Sequence, residues 1–255
     1  MSRKVTFLWR KIEGIVLRTS DYGEANKIVT LFSREIGKFG AVARGAKKPN
    51  SRLASVTQPF THGFFICTVG SGLGTIHQGE IIDPFRSVKG DIFLTAYASY
   101  IVELTDKSAD EKRAHPSLFE LLRLTLHYLD RGSDPDILKN IFEIKMLHVL
   151  GHQPQLAGCA SCGKAEGDFS FSVREGGLLC ERCAGRDPYA IKISPSTAKL
   201  LRLFSVIDLN RLGSINVKER TKKELNDCIS AYYDEYTGLY LKTKKFLNQM
   251  EKFKP

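Results

Sequence analysis

The residues best placed to do chemistry are four cysteines. They stand as Cys159-Ala-Ser-Cys162 and Cys180-Glu-Arg-Cys183, two CxxC pairs separated by 17 residues. At that spacing each pair can curl into a tight knuckle that aims both thiolates at one ion, and Gly163 and Gly185 supply the backbone freedom such turns need. Four sulfurs fill a tetrahedral zinc shell and leave no open position for a reacting water, so the expected site holds one structural zinc ion. The competing chemistry is thiol–disulfide exchange. A thioredoxin-like motif, however, needs one CxxC at a helix start after a strand, and neither pair reads that way. His148 and His152, just upstream, are alternative ligands that could replace a thiolate, the helix-end reading being favoured. Cys67 and Cys228 each stand alone in apolar or mixed runs and read as small buried residues.

The element that must position the thiolates lies between the pairs. Phe169-Ser-Phe-Ser-Val173 alternates, Arg174-Glu-Gly-Gly177 supplies a turn and Leu178-Leu179 follows, which together predict a β-hairpin. A ribbon of this size, at about 155–190, buries too little apolar surface to stand unaided, so the metal helps to hold it. On both sides the period is helical. Phe93, Leu94, Tyr97, Tyr100, Ile101 and Leu104 recur at three and four after Asp91. Pro116 opens a second helix to about Leu129, and Asp134-Pro135 a third to about Leu150. Ser194-Pro195 starts another through Phe204, and Lys218 to Gln249 carries one long or two shorter helices. Residues 86–255 are therefore expected as a helical domain with the ribbon inserted.

Ahead of that domain, residues 1–85 are expected to form a small all-β unit. Ile12–Arg18, Lys27–Phe32, Lys38–Arg44, Gly63–Val69 and Thr75–Ile82 are β-prone runs separated by turn chemistry. Five short strands in that length match an OB-fold barrel, giving an α+β multidomain chain overall. After the third strand comes Ala43-Arg-Gly-Ala-Lys-Lys-Pro-Asn-Ser-Arg52, in which Arg44, Lys47, Lys48 and Arg52 stand with no acid among them. Gly45 and Pro49 make this a loop, from which cations can reach phosphates without distorting a sheet. Arg18, Lys27, Arg34 and Lys38 occupy neighbouring strand or turn positions and extend the candidate DNA-binding set. Phe32, Phe39 and Phe60 read either as core or as stacking surfaces for bases, the core reading being favoured at alternating strand positions. Gly70-Ser-Gly-Leu-Gly74 lacks the spacing of a phosphate-binding loop and precedes a strand, so it reads as a hairpin turn.

Charge supports the same division. The net charge is +10, but residues 1–58 carry 12 Lys and Arg against 4 Asp and Glu, residues 59–191 carry 13 against 17, and residues 192–255 carry 13 against 7. Contact with a polyanion is thus expected at the two ends of the sequence. In the basic tail, Tyr232, Tyr236, Leu239 and Tyr240 are expected to share a helix face on the core. Tyr240 with Lys242, Lys244 and Lys245 could accept an acidic peptide with an apolar end. No segment reaches about 18 apolar residues, so no membrane partner is expected. Free paired thiols without an export signal point to a reducing, cytoplasmic setting. HExxH, GxSxG, the Walker loop and paired metal-binding carboxylates are missing, and the chain reads as a binding protein and not an enzyme.

Glu13-Gly-Ile-Val-Leu-Arg-Thr-Ser-Asp-Tyr-Gly-Glu24, Ala43 to Arg52, Gln58-Pro-Phe60 and Asp91-Ile-Phe-Leu-Thr-Ala-Tyr97 resemble the RecO recombination mediators. So do the paired cysteines, Asp208-Leu-Asn-Arg-Leu-Gly213 and Tyr236-Thr-Gly-Leu-Tyr-Leu-Lys242. The likeness to the Gram-positive branch runs almost end to end and leaves out only the first ten or so residues. It implies an OB-fold, a helical domain and a four-cysteine zinc element. It further implies a nucleoid-associated protein that binds and anneals single- and double-stranded DNA. Its implied partners are RecR and the C-terminal tail of single-stranded DNA-binding protein, with RecA loaded as the indirect result. A zinc-ribbon nucleic-acid adaptor in transcription or translation and a CxxC redox protein are the competing readings.

Overall fold

The computed structural model describes residues 8–213 and 215–251. Two compact units emerge, one gathering the described residues up to 131 with those from 241 onward, and the other the described residues between 132 and 240.

In the first unit, β1 (Leu8–Tyr22), β2 (Asn26–Ser33), β3 (Gly37–Ala43), β4 (His62–Val69) and β5 (Gly74–Asp83) close into a barrel in the order β1-β2-β3-β5-β4. This is the OB-type arrangement expected above, with β3 and β5 parallel and the other pairs antiparallel. Closure depends on the length of β1. Its first half pairs with β4, its second half with β2, and the register shifts between Val16 and Arg18 where the strand bends from one partner to the other. Alternation sends Ile12, Val16, Val29, Leu31, Phe39, Ala41, Phe65 and Ile76 inward. A helix that carried no sequence signal, α1 (Arg52–Val56), is started by Ser51, whose hydroxyl accepts from Leu53 N–H. Val56 and Leu53 of α1 pack onto this core. A Cβ on Gly79 would lie 2.7 Å from Val56, so glycine at that point of β5 is what admits α1.

The favoured reading of the three phenylalanines is the one observed. Phe39 lies in the barrel core, and Phe60 is buried at a left-handed φ of 68°. Phe32 is buried on the outer face with its ring centroid 6.2 Å from that of Phe119. Phe119 belongs to α4 (Pro116–Asp130), which follows α2 (Arg86–Gly90) and α3 (Ile92–Ser108). Asp91 caps α3 by accepting from Phe93 and Leu94 N–H.

The second unit holds α5 (Pro135–Val149), a three-stranded sheet in the order β7-β6-β8, α6 (Pro195–Val206) and α7 (Glu219–Tyr236). The strands are β6 (Phe169–Ser172), β7 (Gly177–Cys180) and β8 (Ile191–Lys192). Asp134 and Ser194 cap α5 and α6, each followed by proline in the first turn. The Ser194 hydroxyl and N–H and the Thr197 hydroxyl all converge on Glu224 of α7, which fixes the start of α6. Gly238, at φ 58°, separates α7 from α8 (Lys242–Glu251), which belongs to the first unit. Tyr232 and Tyr236 stack with centroids 4.4 Å apart, whereas Leu239 and Tyr240 fall beyond the end of α7 and do not share its face.

Candidate metal centre and nucleic-acid interface

Two turns and a strand end bring the four cysteines together. In the first turn Cys159 N–H donates to Lys164 O at 2.8 Å and Gly163 N–H donates back to Cys159 O at 2.8 Å, with Gly163 at φ 76°. Ala160 N–H donates to Leu178 O and ties this knuckle to β7. Cys180 ends β7, and Cys183 lies in the 3-10 turn Glu181–Arg186 that follows. The four Sγ atoms all lie within 4.8 Å of one another, and those of Cys162 and Cys180 are 3.7 Å apart. A tetrahedral zinc site with Zn–S of ~2.3 Å has sulfur–sulfur edges of ~3.8 Å, so the cluster could hold a metal ion of that kind.

The electrostatics of the cluster point the same way. Burial pushes the Cys159 thiol up, but N–H donors from Cys180, Cys162 and Ser161 outweigh it and bring the group down to about 6. The Ser161 hydroxyl lowers Cys183, yet desolvation and the three neighbouring sulfurs carry it up to about 11. The first thiolate is therefore supported by the backbone, and further ionisation is opposed by sulfur crowding. A cation among the four would remove that opposition. The other two cysteines are different. Burial in the barrel core pushes Cys67 to about 12, and burial together with the nearby charges of Asp227 and Glu224 pushes Cys228 to about 12. His148 bonds Gln153 at 2.8 Å, and neither it nor His152 joins the cluster.

The ribbon is packed as well as clustered. Phe169, Phe171, Leu178 and Leu179 are buried, and Arg202 of α6 lies over the Phe169 ring at 4.7 Å while donating to Leu156 O. Phe171 meets Tyr232 edge-on at 5.8 Å, and the Tyr236 hydroxyl donates to Val173 O at 2.7 Å.

On the barrel, the loop after β3 is held by its own backbone. Gly45 N–H donates to Asn26 Oδ1 at 2.9 Å and Lys47 N–H to Ala25 O at 3.0 Å, which fastens the loop to the β1–β2 turn, and Ala46 is buried as a plug. Arg44, Lys47, Lys48 and Arg52 are exposed around this fixed path. Lys47 bonds Asp21 at 2.7 Å, a contact that holds the Asp21 carboxyl below its usual range. Among the described residues no carboxylate pairs with Arg44, Lys48 or Arg52. Lys27, half-buried, pairs in register with Ala43 at the root of the loop.

The remaining candidates have different surroundings. Arg18 bonds the carboxylate of Asp106 at 2.9 Å, and Lys38 reaches both the backbone oxygen and the carboxylate of the same residue. Arg34 lies between Glu13 and Glu120 with its guanidinium 4.8 Å above the Phe119 ring, and Glu13 foremost holds its charge firmly. The structure thus gathers Arg44, Lys47, Lys48, Arg52 and Lys27 at one end of the barrel and engages Arg18, Arg34 and Lys38 with carboxylates. The Gly70–Gly74 turn joins β4 to β5, and the carbonyls of Gly70, Ser71 and Gly72 converge on the Lys112 ammonium. The turn's carbonyls are taken up by a lysine of the same unit, and the turn joins two strands, as in the hairpin reading.

In the tail, Tyr240 is 63% exposed, Lys242 and Lys245 are exposed and Lys244 is half-buried at the start of α8. Glu103 of α3 accepts from the N–H groups of Lys242 and Thr243 and so fixes the first turn of α8. Beside it opens a cleft of about 620 Å³ with Leu17, Phe60 and Val102 in its floor and Arg18, Lys107 and Lys242 at its edge. Glu103, Lys112 and the Glu13–His62 pair left no trace in sequence, because each acts through a partner at least 40 positions away. Trp9 was missed as well: β1 begins at Leu8, ahead of the strand start expected at Ile12, because Arg10 and Lys11 break the apolar–polar alternation there.

Comparison with known proteins divides the chain between residues 85 and 89, not where the two compact units part. Residues 7–85 match the family described as Recombination protein O N terminal, and residues 89–245 match Recombination protein O C terminal. The chain is 54% identical over 244 residues to the DNA repair protein RecO of Bacillus pumilus, covering 96% of this chain and 95% of that one. It is 55% and 56% identical over 246 residues to the proteins of the same name from Bacillus mycoides and Bacillus cereus, covering 96% of this chain and 99% of each relative. No helix among the described residues is long and apolar enough to cross a membrane.

Proposed function

Because the chain belongs to the RecO family of DNA repair and recombination proteins, we propose that it is a non-enzymatic recombination mediator that binds DNA through the phosphates. In this reading the basic loop of the barrel is the main contact. The observation that carries it is the fastened loop on which Arg44, Lys48 and Arg52 stand without carboxylate partners. A loop already ordered loses little entropy on binding, and cations without internal partners give up no ion pair when they meet phosphate. Lys47 and Lys27 lie beside them, while Arg18, Arg34 and Lys38 sit at the margins with their charges compensated. Such contacts carry no base readout, so both single- and double-stranded DNA are bound and complementary strands can be annealed.

The four cysteines hold one structural zinc ion, with Cys159, Cys162, Cys180 and Cys183 as its ligands, and the ion keeps the ribbon folded. RecR is the proposed protein partner. The acidic tail of single-stranded DNA-binding protein is assigned to the start of α8, where Lys242, Lys244 and Lys245 offer cations and Tyr240 an exposed ring. The apolar floor of the neighbouring cleft suits the apolar end of such a peptide. RecA loading on gapped DNA would follow indirectly. The deciding experiment is binding and annealing of DNA by the chain with Arg44, Lys47, Lys48 and Arg52 all changed to glutamate, with and without RecR. Most of the DNA affinity should disappear with folding intact; binding equal to the parent at moderate salt refutes the loop assignment.

A further inference from the structure

We infer that the outer face of the barrel, where β1 meets β4 and β5, is a stacking site for an unpaired base of single-stranded DNA, with Trp9 as its platform. Trp9 is 62% exposed, and a single exposed aromatic would be unremarkable on any surface. This ring, however, is held in place. It stacks on His77 with centroids 4.1 Å apart and planes tilted by 22°. His77 is itself tied to Thr68 at 3.2 Å, and Thr68 is the residue opposite Trp9 in the β1–β4 register. One ring face therefore rests on a fixed support while most of the side chain stays in water. Two positions along β1, the Lys11 ammonium lies 4.7 Å above the Phe64 ring, so a second aromatic and a cation continue the same strip.

The occupant follows from what adjoins the strip. The parallel β3–β5 pairing sets Ala43 against Ile76, so Arg44, the first residue after β3, follows at the point where β5 continues into His77, and both are exposed. The braced aromatic pair therefore runs directly into the basic loop. A strand whose phosphates lie on Arg44 and its neighbours can turn a base onto Trp9 within the next nucleotide or two. Only unpaired DNA can do so, because duplex bases are already stacked within the helix. The inference rests on the loop as phosphate site, and it adds the feature that tells single strands from duplex.

Trp9 is the sole tryptophan of the chain, so its emission reports the platform directly. Oligothymidylate of about 20 nucleotides should quench it along the binding isotherm. Trp9→Ala should weaken single-strand binding by about 5- to 150-fold, the range for loss of one stacked base, with duplex affinity and salt slope unchanged. Trp9→Phe should keep most of the affinity, since a ring remains. Emission unaffected by DNA together with unchanged Trp9→Ala affinity overturns the inference. So does equal loss on single strands and duplex, and so does a loss confined to a protein partner. The loop is judged separately: Arg44→Ala, Lys48→Ala and Arg52→Ala must flatten the salt dependence, which Trp9→Ala must not. Failure of either arm leaves the other readable.

Discussion

Changing Cys159 and Cys162 to serine removes half of the sulfur cluster and tests whether the proposed zinc ion holds the second unit. A serine hydroxyl stays protonated near neutrality, so two sulfurs are left where a closed site needs four ligands, and zinc should be lost. A structural zinc contributes about 10–16 kcal/mol in small peptides, whereas a whole domain is stable by only about 5–15 kcal/mol. Phe169, Phe171, Leu178 and Leu179 are buried, at roughly 1.5–3 kcal/mol each, about 6–12 kcal/mol together, and the entropy of ordering the ribbon's residues offsets that gain, so packing alone does not hold the ribbon. The ribbon should therefore open, expose these four side chains and uncover the face of Tyr232 on which Phe171 rests.

The readouts are zinc content, binding of a hydrophobic dye and the melting profile. At about 4–8 °C per kcal/mol for a domain of this size, loss of only ~3 kcal/mol lowers the transition of the second unit by more than ~10 °C. The barrel, with its separate core, should still bind DNA as the parent does at matched salt. A chelator should act on the parent as the substitution does. Parent protein that holds no zinc, a variant that melts like the parent, or selective loss of DNA binding at unchanged stability would each refute the reasoning.

Three further outcomes test the remaining contacts. If Arg44, Lys47, Lys48 and Arg52 each neutralise one phosphate, log affinity for single strands should fall against log salt with a slope of about −2.8, roughly 50-fold between about 50 and 200 mM. Alanine at Arg44, Lys48 and Arg52 should remove about 2 from that slope, and an unaltered slope contradicts phosphate contact there. Although burial opposes it, hydrogen bonds from Thr197, Ser194 and Arg220 bring Glu224 down to about 2. A depressed carboxyl stabilises the fold above its unfolded value near 4.5 and loses that contribution as pH falls toward 2. Denaturation of Glu224→Gln should show ~1–3 kcal/mol less stability at pH 7 and a flatter acid limb; an acid limb identical to the parent's counts against it. Lys112→Met should release the Gly70–Gly72 carbonyls and speed amide exchange in the β4–β5 turn while leaving the DNA salt slope alone.

Local signals in this chain proved legible and distant partnerships did not. The strand runs, the Asp91, Asp134 and Ser194 caps and the paired cysteines each act within a few residues, so pattern and spacing carry them. Helices α1 and α2 are five residues long, too short for any period to register, and are fixed instead by packing. Leu239 and Tyr240 continued a helical spacing that Gly238 interrupts, and periodicity cannot weigh a single break against a good pattern.

The DNA-binding set shows the physical reason most sharply. Counting cations gave residues 1–58 a large positive excess, but charge in a fold is decided by what stands opposite. Arg34 meets Glu120, 86 positions away, while Arg18 and Lys38 meet Asp106, so part of the acidic middle of the sequence lies against part of the basic start. Those pairs draw the field in where α3 and α4 cover the barrel. On the loop fastened at Asn26 and Ala25, Arg44, Lys48 and Arg52 have no carboxylate partner among the described residues and Lys47 is tied to Asp21, while Arg10, Lys11 and Lys27 are likewise without one. In the proposed reading a phosphate chain lies on this loop, and the β3–β5 register sets the Trp9–His77 pair next to it.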